Sequence, residues 1–565
     1  MDNESSDSVQ RPSPYAGRWV ARVHGRVVAQ GGTPEQALRA SQESRHKEKP
    51  EIVFMSLPLA LPPLLEKLLT ILPADQEIYL VGGAVRDLLL ARVSPDLDFV
   101  LPSNGIALAR RVAKTLGADF LPLDEERDTG RVIVTNEDGT RTFLDFSIYR
   151  SAESTSVFGH SLEEDLRARD FTMNAIAYNL HTGTITDPLN GGTDLRAKLI
   201  RACSPTSMSD DPVRILRAIR QAALFGFHID KQTREWMKES VGQLERISAE
   251  RLRDEVFKIL QGPRPDTAIR ALEMLGVFPH LMPELTALKG VQQSAPHVHD
   301  VWTHTLSVLG ALDQIIASLR VGYDAEQTND MFTGLLTLRI GRYREQMAKH
   351  FSTSLNIDRS QRALLFFAAL YHDVCKPQTK TVDENGRIRF FDHDVQGADV
   401  VADRAHAFNL SNDEVDRLQA IVKHHMRIHA FASRLEHEKQ TPSRKAIYRF
   451  FRDAGEAGID LILLGLADLR GTRAHELTLE TWTAYLDVAR LLLENYWERP
   501  EEVIFPPRLV GGHDLIHELN LQPGPLVGQL LELIRENQAA GRIETREQAL
   551  AFAREELEKG MTDSP

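Results

Sequence analysis

The apolar residues of this 565-residue chain change their spacing near residue 211, and that change limits the folds open to it. Before it, apolar residues come in short runs at Ile78–Val81, Leu97–Leu101, Val132–Thr135 and Thr142–Tyr149. Helix-period stretches at Val85–Ala91 and Ile106–Leu116 lie between them. Short strands interspersed with helices predict a head built on a mixed sheet. Beyond residue 211, apolar residues recur at helical spacing through 212–226, 247–260, 302–318, 362–375, 395–408, 414–427, 444–453, 458–470 and 479–495. That period predicts an all-α body, so the chain as a whole reads as α+β.

Punctuation subdivides it. Residues 1–14 are polar and read as a disordered tail. Residues 15–46 read as a small β-β-α appendage: Arg18–Val23 and Arg26–Ala29 alternate around His24-Gly25, and Thr33 caps a helix entered through Pro34 and Glu35. A docking module and a passive extension fit this unit equally. Lys47–Pro50 is a linker, 51–200 the mixed head, 201–285 a helical neck, 290–500 the helical body and 501–565 a C-terminal helical segment.

With 42% apolar residues there is ample material for several cores, which excludes a disordered chain. Two cysteines, Cys203 and Cys375, exclude a disulfide framework or a cysteine-based zinc module. The apolar runs, such as Leu364–Tyr371, fall far short of the ~20 residues that span a bilayer. Met1–Gln10 is polar and acidic, unlike a signal peptide, so a cytoplasmic protein with no membrane partner is expected. The net charge of -13 means that any nucleic-acid contact must use local basic patches.

Two constellations carry chemistry. In the first, Gly82-Gly83 stands between a strand and a helix, where glycines let backbone amides approach a phosphate; Arg86 in the first turn could add charge. Asp96 and Asp98 lie two apart on a strand, so both carboxylates leave one face. Such a pair can share Mg²⁺, the hard cation that serves nucleotidyl transfer. Asp145, in the strand Thr142–Tyr149, could supply a third carboxylate. A solvated strand end is the plainer reading of an isolated Asp-x-Asp.

These residues resemble the bacterial CCA tRNA nucleotidyltransferase and poly(A) polymerase family. The resemblance runs from Leu80-Val81-Gly82-Gly83 and Asp96-Leu97-Asp98 through Glu164 to Ala175, then Asp187-Pro188 to Asp194-Leu195, and Asp210-Asp211-Pro212-Val213-Arg214 to Ala218. It implies addition of CCA to tRNA 3′ ends from CTP and ATP, with A-only addition or poly(A) synthesis as the alternative. It also implies roles. Asp96 and Asp98 would bind the catalytic Mg²⁺, and Asp145 would support the 3′-hydroxyl side. Gly82, Gly83 and Arg86 would hold the triphosphate, and Arg169 with Asp170 would contact the ribose. Asp211 and Arg214 would read the base, and Arg217 would contact phosphate or pair with the head. A buried ion pair is the structural alternative for Arg169 and Asp170, and a helix cap for Asp211. Asp210 stands where the family usually has Glu, and Gln221 replaces a commonly aromatic position.

In the second constellation, His372-Asp373 follows an apolar helix, His304 lies upstream and Asp468 downstream. This order resembles the HD metal-dependent phosphohydrolase superfamily, which makes His304, His372, Asp373 and Asp468 the implied ligands of a divalent metal, with a transition metal among the candidates. His393 and either His424 or His425 are implied second-site ligands. A helical body that merely holds tRNA is the alternative, and Cys375 replaces the usual glycine after His-Asp. The basic run Arg434–Arg452, interleaved with Tyr448 and Phe450, is a candidate RNA-backbone patch or an ordinary solvated helix face. Oligomeric state is not legible.

Overall fold

The computed structural model describes residues 14–44, 48–56, 59, 61–150, 159–324, 330–356 and 359–559. The predicted tail at 1–14 lies outside the described residues except for its last. The chain divides into two compact units, Met1–Leu244 and Glu245–Pro565.

The first unit opens with β1 (Arg18–Val23), β2 (Arg26–Gly31), α1 (Pro34–Glu43) and β3 (Glu51–Met55). The three strands form one antiparallel sheet in the order β2-β1-β3. Thr33 caps α1 by accepting from the Gln36 amide. The sequence reading began the head at residue 51, but β3 pairs with β1 along Arg18–Arg22, which makes the appendage β-β-α-β. Only the pairing shows this, because the short apolar run Glu51–Met55 carries no sign of which sheet it joins.

A seven-stranded mixed sheet follows. Its strands are β4 (Tyr79–Val81), β5 (Asp96–Leu101), β6 (Asp119–Asp124), β7 (Thr129–Thr135), β8 (Arg141–Ile148), β9 (Ala177–Asn179) and β10 (Ile185–Thr186), in the order β10-β9-β4-β5-β8-β7-β6. β5 and β8 are parallel and every other neighbouring pair is antiparallel. Helices α2 (Pro63–Ile71), α3 (Gly83–Leu89) and α4 (Gly105–Leu116) complete this part. β6 was not anticipated: Pro122 argues against a strand, and it is tolerated here because β6 is an edge.

Alternation along β5 decides what each sheet face does. Leu97, Phe99 and Leu101 enter the main core with Leu108 and Val112 of α4 and Leu65 and Leu68 of α2. Phe99 stacks on Phe146 of β8 at 4.7 Å. Asp96, Asp98 and Val100 therefore face the other side, where Val100 joins a smaller cluster with Val81, Leu166 and Ala175. Beyond the sheet come α5 (Leu162–Arg167), α6 (Gly191–Arg196), α7 (Ser207–Asp210) and α8 (Arg214–Phe225).

The second unit is helical apart from short strands such as the hairpin Lys380–Val382 with Ile388–Phe390. Its centre is the helix Gln361–Tyr371, every residue of which is buried. A helix apolar all round has to be surrounded by others. Val301–Ser318, Ala457–Arg473 and Asn412–His424 pack around this region. Helices at Met331–Ile340, Arg344–Ser352 and Arg427–Glu438 were not in the sequence reading. The C-terminal helices Gly512–Leu519, Pro525–Ala539 and Arg546–Glu558 enclose their own core of Leu515, Leu530, Ile534 and Ala549.

The basic run corrects one expectation. Lys445 and Arg449 both pair with Glu536, and Arg452 pairs with Glu532. Arg444 donates to the carbonyls of Ala539 and Glu502, and Tyr448 to Glu532. These charges bind the helix Arg444–Ala454 to the C-terminal helices. Sequence distance hid the acidic partners, which lie 80 or more residues away.

Candidate active sites

At the head of the first unit, β4 delivers the chain to Gly82, whose φ of 71° is a left-handed conformation suited to glycine. A Cβ on Gly82 would lie 3.0 Å from Arg169 Nη1 and 3.1 Å from Asp98 Oδ2. Gly82 therefore sits where a carboxylate and a guanidinium converge on the backbone. Asp98 stands directly across from Asp145 in the parallel register of β5 and β8, so Asp96, Asp98 and Asp145 share one face. Burial holds the Asp98 carboxyl above the ordinary range; Arg169 pulls the other way, while Asp145 and Asp96 add to the rise. Crowded carboxylates of this kind are relieved by a hard divalent cation, so the donor set fits one. Asp145 is held in a fixed pose by a bidentate pair with Arg131 at 2.8 and 2.7 Å, a partner the sequence reading missed.

The residues around this face are tied together differently from the sequence expectation. Arg169 pairs with Asp165 at 2.8 Å rather than forming one unit with its neighbour Asp170. Asp170 accepts from the Phe171 amide and from Asn174 Nδ2, and lies 3.2 Å from Arg217 Nη2. Burial would raise its pKa, but Arg217, Asn174 and Arg214 outweigh burial and hold it below the ordinary carboxylate range. Arg86 is buried; it donates to Asp87 and to Asn174 Oδ1 and lies over the Phe225 ring. Gly83 makes room for it, because a Cβ there would be 3.2 Å from Arg86 Nη2. Gln221, at the commonly aromatic position, accepts from Asn174. Arg214 donates to Ser207 Oγ at 2.8 Å and to the Ala168 carbonyl at 2.9 Å, which braces α7 against the segment before Arg169. Asp211 lies between α7 and α8, and no side-chain cap forms at the start of α8.

In the second unit, four expected residues come together although they lie on three separate helical segments. His304 Nε2 is 3.0 Å from Asp468 Oδ1, 3.4 Å from Asp373 Oδ2 and 3.3 Å from His372 Nε2. His372 Nε2 is 3.2 Å from Asp373 Oδ2. Across Asp373, His393 Nε2 is 3.4 Å from Oδ1 and His425 Nε2 is 3.8 Å from it. His304, His372 and Asp468 form one possible metal-binding group, and Asp373, His393 and His425 another.

The tautomers fit this use. His372, His393 and His425 each place Nδ1 within 2.6–2.8 Å of the carbonyl three residues earlier, at Ala369, Phe390 and Val422. Nδ1 carries a proton there, so Nε2 is the lone pair in each neutral ring; at His372 burial lowers the pKa, but Asp373 and Asp468 outweigh it and raise it. His393 and His425 then aim two lone pairs at each other across 3.3 Å, a geometry that calls for a cation. Burial, with His372 and His393, pushes the His425 imidazole down to about 3, so it is neutral near pH 7 as a ligand must be. His425 is the inward residue of the pair the sequence left open, and His424 instead lines a surface recess with Lys423 and Asp399. Helical spacing from Leu418, Ile421 and Val422 would have chosen it, since those buried residues share its face. Two further residues were missed: Lys376, 2.7 Å from Asp373 Oδ2, and His429, which joins Asp468 Oδ2 at 2.7 Å to Tyr485.

A mixed-sheet head presenting three carboxylates beside a glycine turn, followed by a buried His-Asp cluster in a helical unit, defines a nucleotidyltransferase head joined to an HD-type body. The family models agree: residues 78–201 match the poly A polymerase head domain, 226–289 the probable RNA and SrmB-binding site of polymerase A, and 301–451 the HD domain. The chain is 32% identical over 502 residues to the CC-adding tRNA nucleotidyltransferase of Thermus thermophilus, covering 87% of this chain and 97% of the relative. It is 31% identical to the A-adding tRNA nucleotidyltransferase of Deinococcus radiodurans, covering 84% and 94%. A solved CCA-adding enzyme with CTP shares the fold at a TM-score of 0.55 and 21% identity, covering 88% of this chain and 96% of that one. The chain belongs to the tRNA nucleotidyltransferase and poly(A) polymerase family. No helix among the described residues is long and apolar enough to cross a membrane.

Proposed function

We propose that this chain adds CCA to the 3′ end of tRNA from CTP and ATP, in the cytoplasm and with Mg²⁺. The observation that carries the reading is the shared face of Asp96, Asp98 and Asp145 beside Gly82. In each step the terminal 3′-hydroxyl attacks the α-phosphate, an O–P bond forms, and the bond to pyrophosphate breaks. Asp96 and Asp98 would hold the divalent cation, which when bound would supply charge to stabilise the attacking and leaving oxygens. Asp145, fixed by Arg131, faces the 3′-hydroxyl side. Gly82 and Gly83 give the triphosphate access to backbone amides, and Arg86 positions Asn174. Arg169 and Asp170 border the ribose, Asp211 and Arg214 read the base, and Arg217 balances Asp170. Positioning and electrostatics supply most of the catalysis.

The relatives divide between C addition and A addition at nearly equal identity, and we propose that the one head matched in this chain serves both. Addition of CC alone is the second reading, since the Thermus thermophilus relative is a CC-adding enzyme. For the HD-type cluster we propose a divalent, transition-metal-bearing site that hydrolyses phosphomonoesters or 2′,3′-cyclic phosphates at RNA ends. Mixed imidazole and carboxylate donors with the required tautomers support it.

The test supplies tRNA lacking CCA, and tRNA ending in CC, with Mg²⁺ and CTP, ATP or both, followed by sequencing of the 3′ ends. CCA with both nucleotides is expected. Only CC would establish the second reading; adenosine added only after CC, or long adenosine tails, would overturn both. Asp96→Ala, folded as judged by circular dichroism, serves as the inactive control.

A further inference from the structure

The appendage, whose role the sequence leaves open, packs Phe54 of β3 against the main core of the head and directs several polar contacts to one turn of it. Arg18 Nη2 donates to Asn190 Oδ1 at 2.8 Å, and Arg18 Nη1 lies 3.5 Å from Asp187 Oδ2. Gln36 Nε2 donates to the Pro188 carbonyl at 2.7 Å, and the Asp187 amide donates to the Gly32 carbonyl at 2.9 Å. Trp19 Nε1 donates to the Ile185 carbonyl at 2.9 Å. The fit is close enough that a Cβ on Gly32 would lie 1.7 Å from the Asp187 carbonyl oxygen.

The turn passes this restraint inward. Asp187 is buried and accepts from the Gly191 amide at 2.7 Å and the Gly192 amide at 3.0 Å, which holds the start of α6. α6 is six residues long, too short to be stable without such support. It presses on the segment that follows Asp170: a Cβ on Gly191 would be 1.9 Å from the Thr172 carbonyl oxygen, and Thr172 Oγ1 donates to Asp194 Oδ2 at 2.7 Å. Two residues further on, Asn174 links Asp170 to Arg86. A continuous series of packed polar contacts thus joins Arg18 to the nucleotide side of the head.

We propose that residues 15–55 are a positioning clamp for the incoming nucleoside triphosphate: Arg18 and Gln36 fix the Asp187–Gly192 turn, and α6 transmits that placement to Asp170–Asn174. The clamp rests on the nucleotide-addition reading above. Its positioning residues touch no substrate, so their loss acts on nucleotide affinity and leaves tRNA affinity alone. A guanidinium is suited to this place because it reaches Asn190 and Asp187 together.

The test uses the full chain with Arg18→Ala, Arg18→Lys and the milder Gln36→Ala. Single-nucleotide addition gives KM and kcat for CTP and ATP at saturating tRNA, filter binding gives the tRNA Kd, and displacement of a fluorescent ATP analogue gives nucleotide affinity directly. Losing a charge-assisted hydrogen bond corresponds to about a tenfold rise in KM for Arg18→Ala, with kcat and tRNA Kd within about twofold of wild type. Arg18→Lys should recover much of the loss, and Gln36→Ala should show a smaller rise. Unchanged KM with a lowered melting temperature would reduce the appendage to fold support and overturn the clamp. Weakened tRNA binding with unchanged KM would make it an RNA-docking module and overturn it equally. If the wild type binds nucleotide without adding it, the addition reading fails, and the displacement data still decide the clamp.

Discussion

Gly82 combines a φ of 71° with neighbours 3.0–3.1 Å from any added Cβ, namely Arg169 Nη1 and Asp98 Oδ2. Gly82→Ala should therefore strain the turn and displace both groups. A displacement near 1 Å costs on the order of 100-fold in rate, so kcat for CTP addition should fall by about that factor while the circular dichroism spectrum is kept. A second residue-scale prediction lies in the body. Asp460 is wholly buried, 2.5 Å from Arg417 Nη2 and 2.9 Å from His350 Nε2. Burial alone would raise its pKa, but Arg417 and His350 outweigh burial and hold it below the ordinary range. A carboxyl depressed in the folded state stabilises fully above its unfolded value, about 3.9, and that stability is lost as pH falls through the lower folded value. Asp460→Asn should cost about 3–5 kcal/mol near pH 7, and in denaturant titrations the gap to wild type should begin to narrow near about pH 4 and close as pH falls through the lower folded value. Asp96 and Asp98 were legible because strand alternation sets their face. Asp460 was not, because its partners lie 43 and 110 residues away.

At the scale of elements, the helix Arg444–Ala454 shows why a run of charge does not declare its partner. Its apolar face, with Ile447, Phe450 and Phe451, was readable as helix period. Its basic residues meet Glu532 and Glu536 on the helix Pro525–Ala539. Arg449→Glu would place a like charge against buried Glu536. Limited proteolysis should then cut within 506–559 several-fold faster, while filter binding should show tRNA affinity changed less than about twofold; a basic patch gripping phosphate would instead lose affinity and salt dependence together. β6 makes the converse point: Pro122 hides the strand from propensity, and the edge position is what permits it. β3 likewise needed its partner to be placed, since a strand's sheet membership is a matter of hydrogen bonds to residues far along the chain.

At the scale of the whole molecule, the chain holds two compact units, each with its own acidic cluster. The first cluster is all carboxylate and the second is mixed with imidazole, so they should differ in metal preference. The double variant His372→Ala, Asp373→Ala removes one member of each possible metal-binding group. Elemental analysis after dialysis should show loss of bound transition metal, and any phosphohydrolase activity should vanish, while nucleotide addition with Mg²⁺ stays within about twofold. Loss of addition as well would show that the buried cluster supports the fold on which addition depends.

What the sequence by itself determined are the features set by local spacing. The mixed head and helical body follow from apolar period, the shared face of Asp96 and Asp98 from alternation, and the family from motifs in order. Tertiary structure decided the pairings. It assigned Arg169 to Asp165, Arg131 to Asp145, His425 rather than His424 to the cluster, and the appendage to the Asp187 turn. The reason is physical: period and alternation act within a few residues, whereas which buried charge meets which partner depends on how distant elements pack.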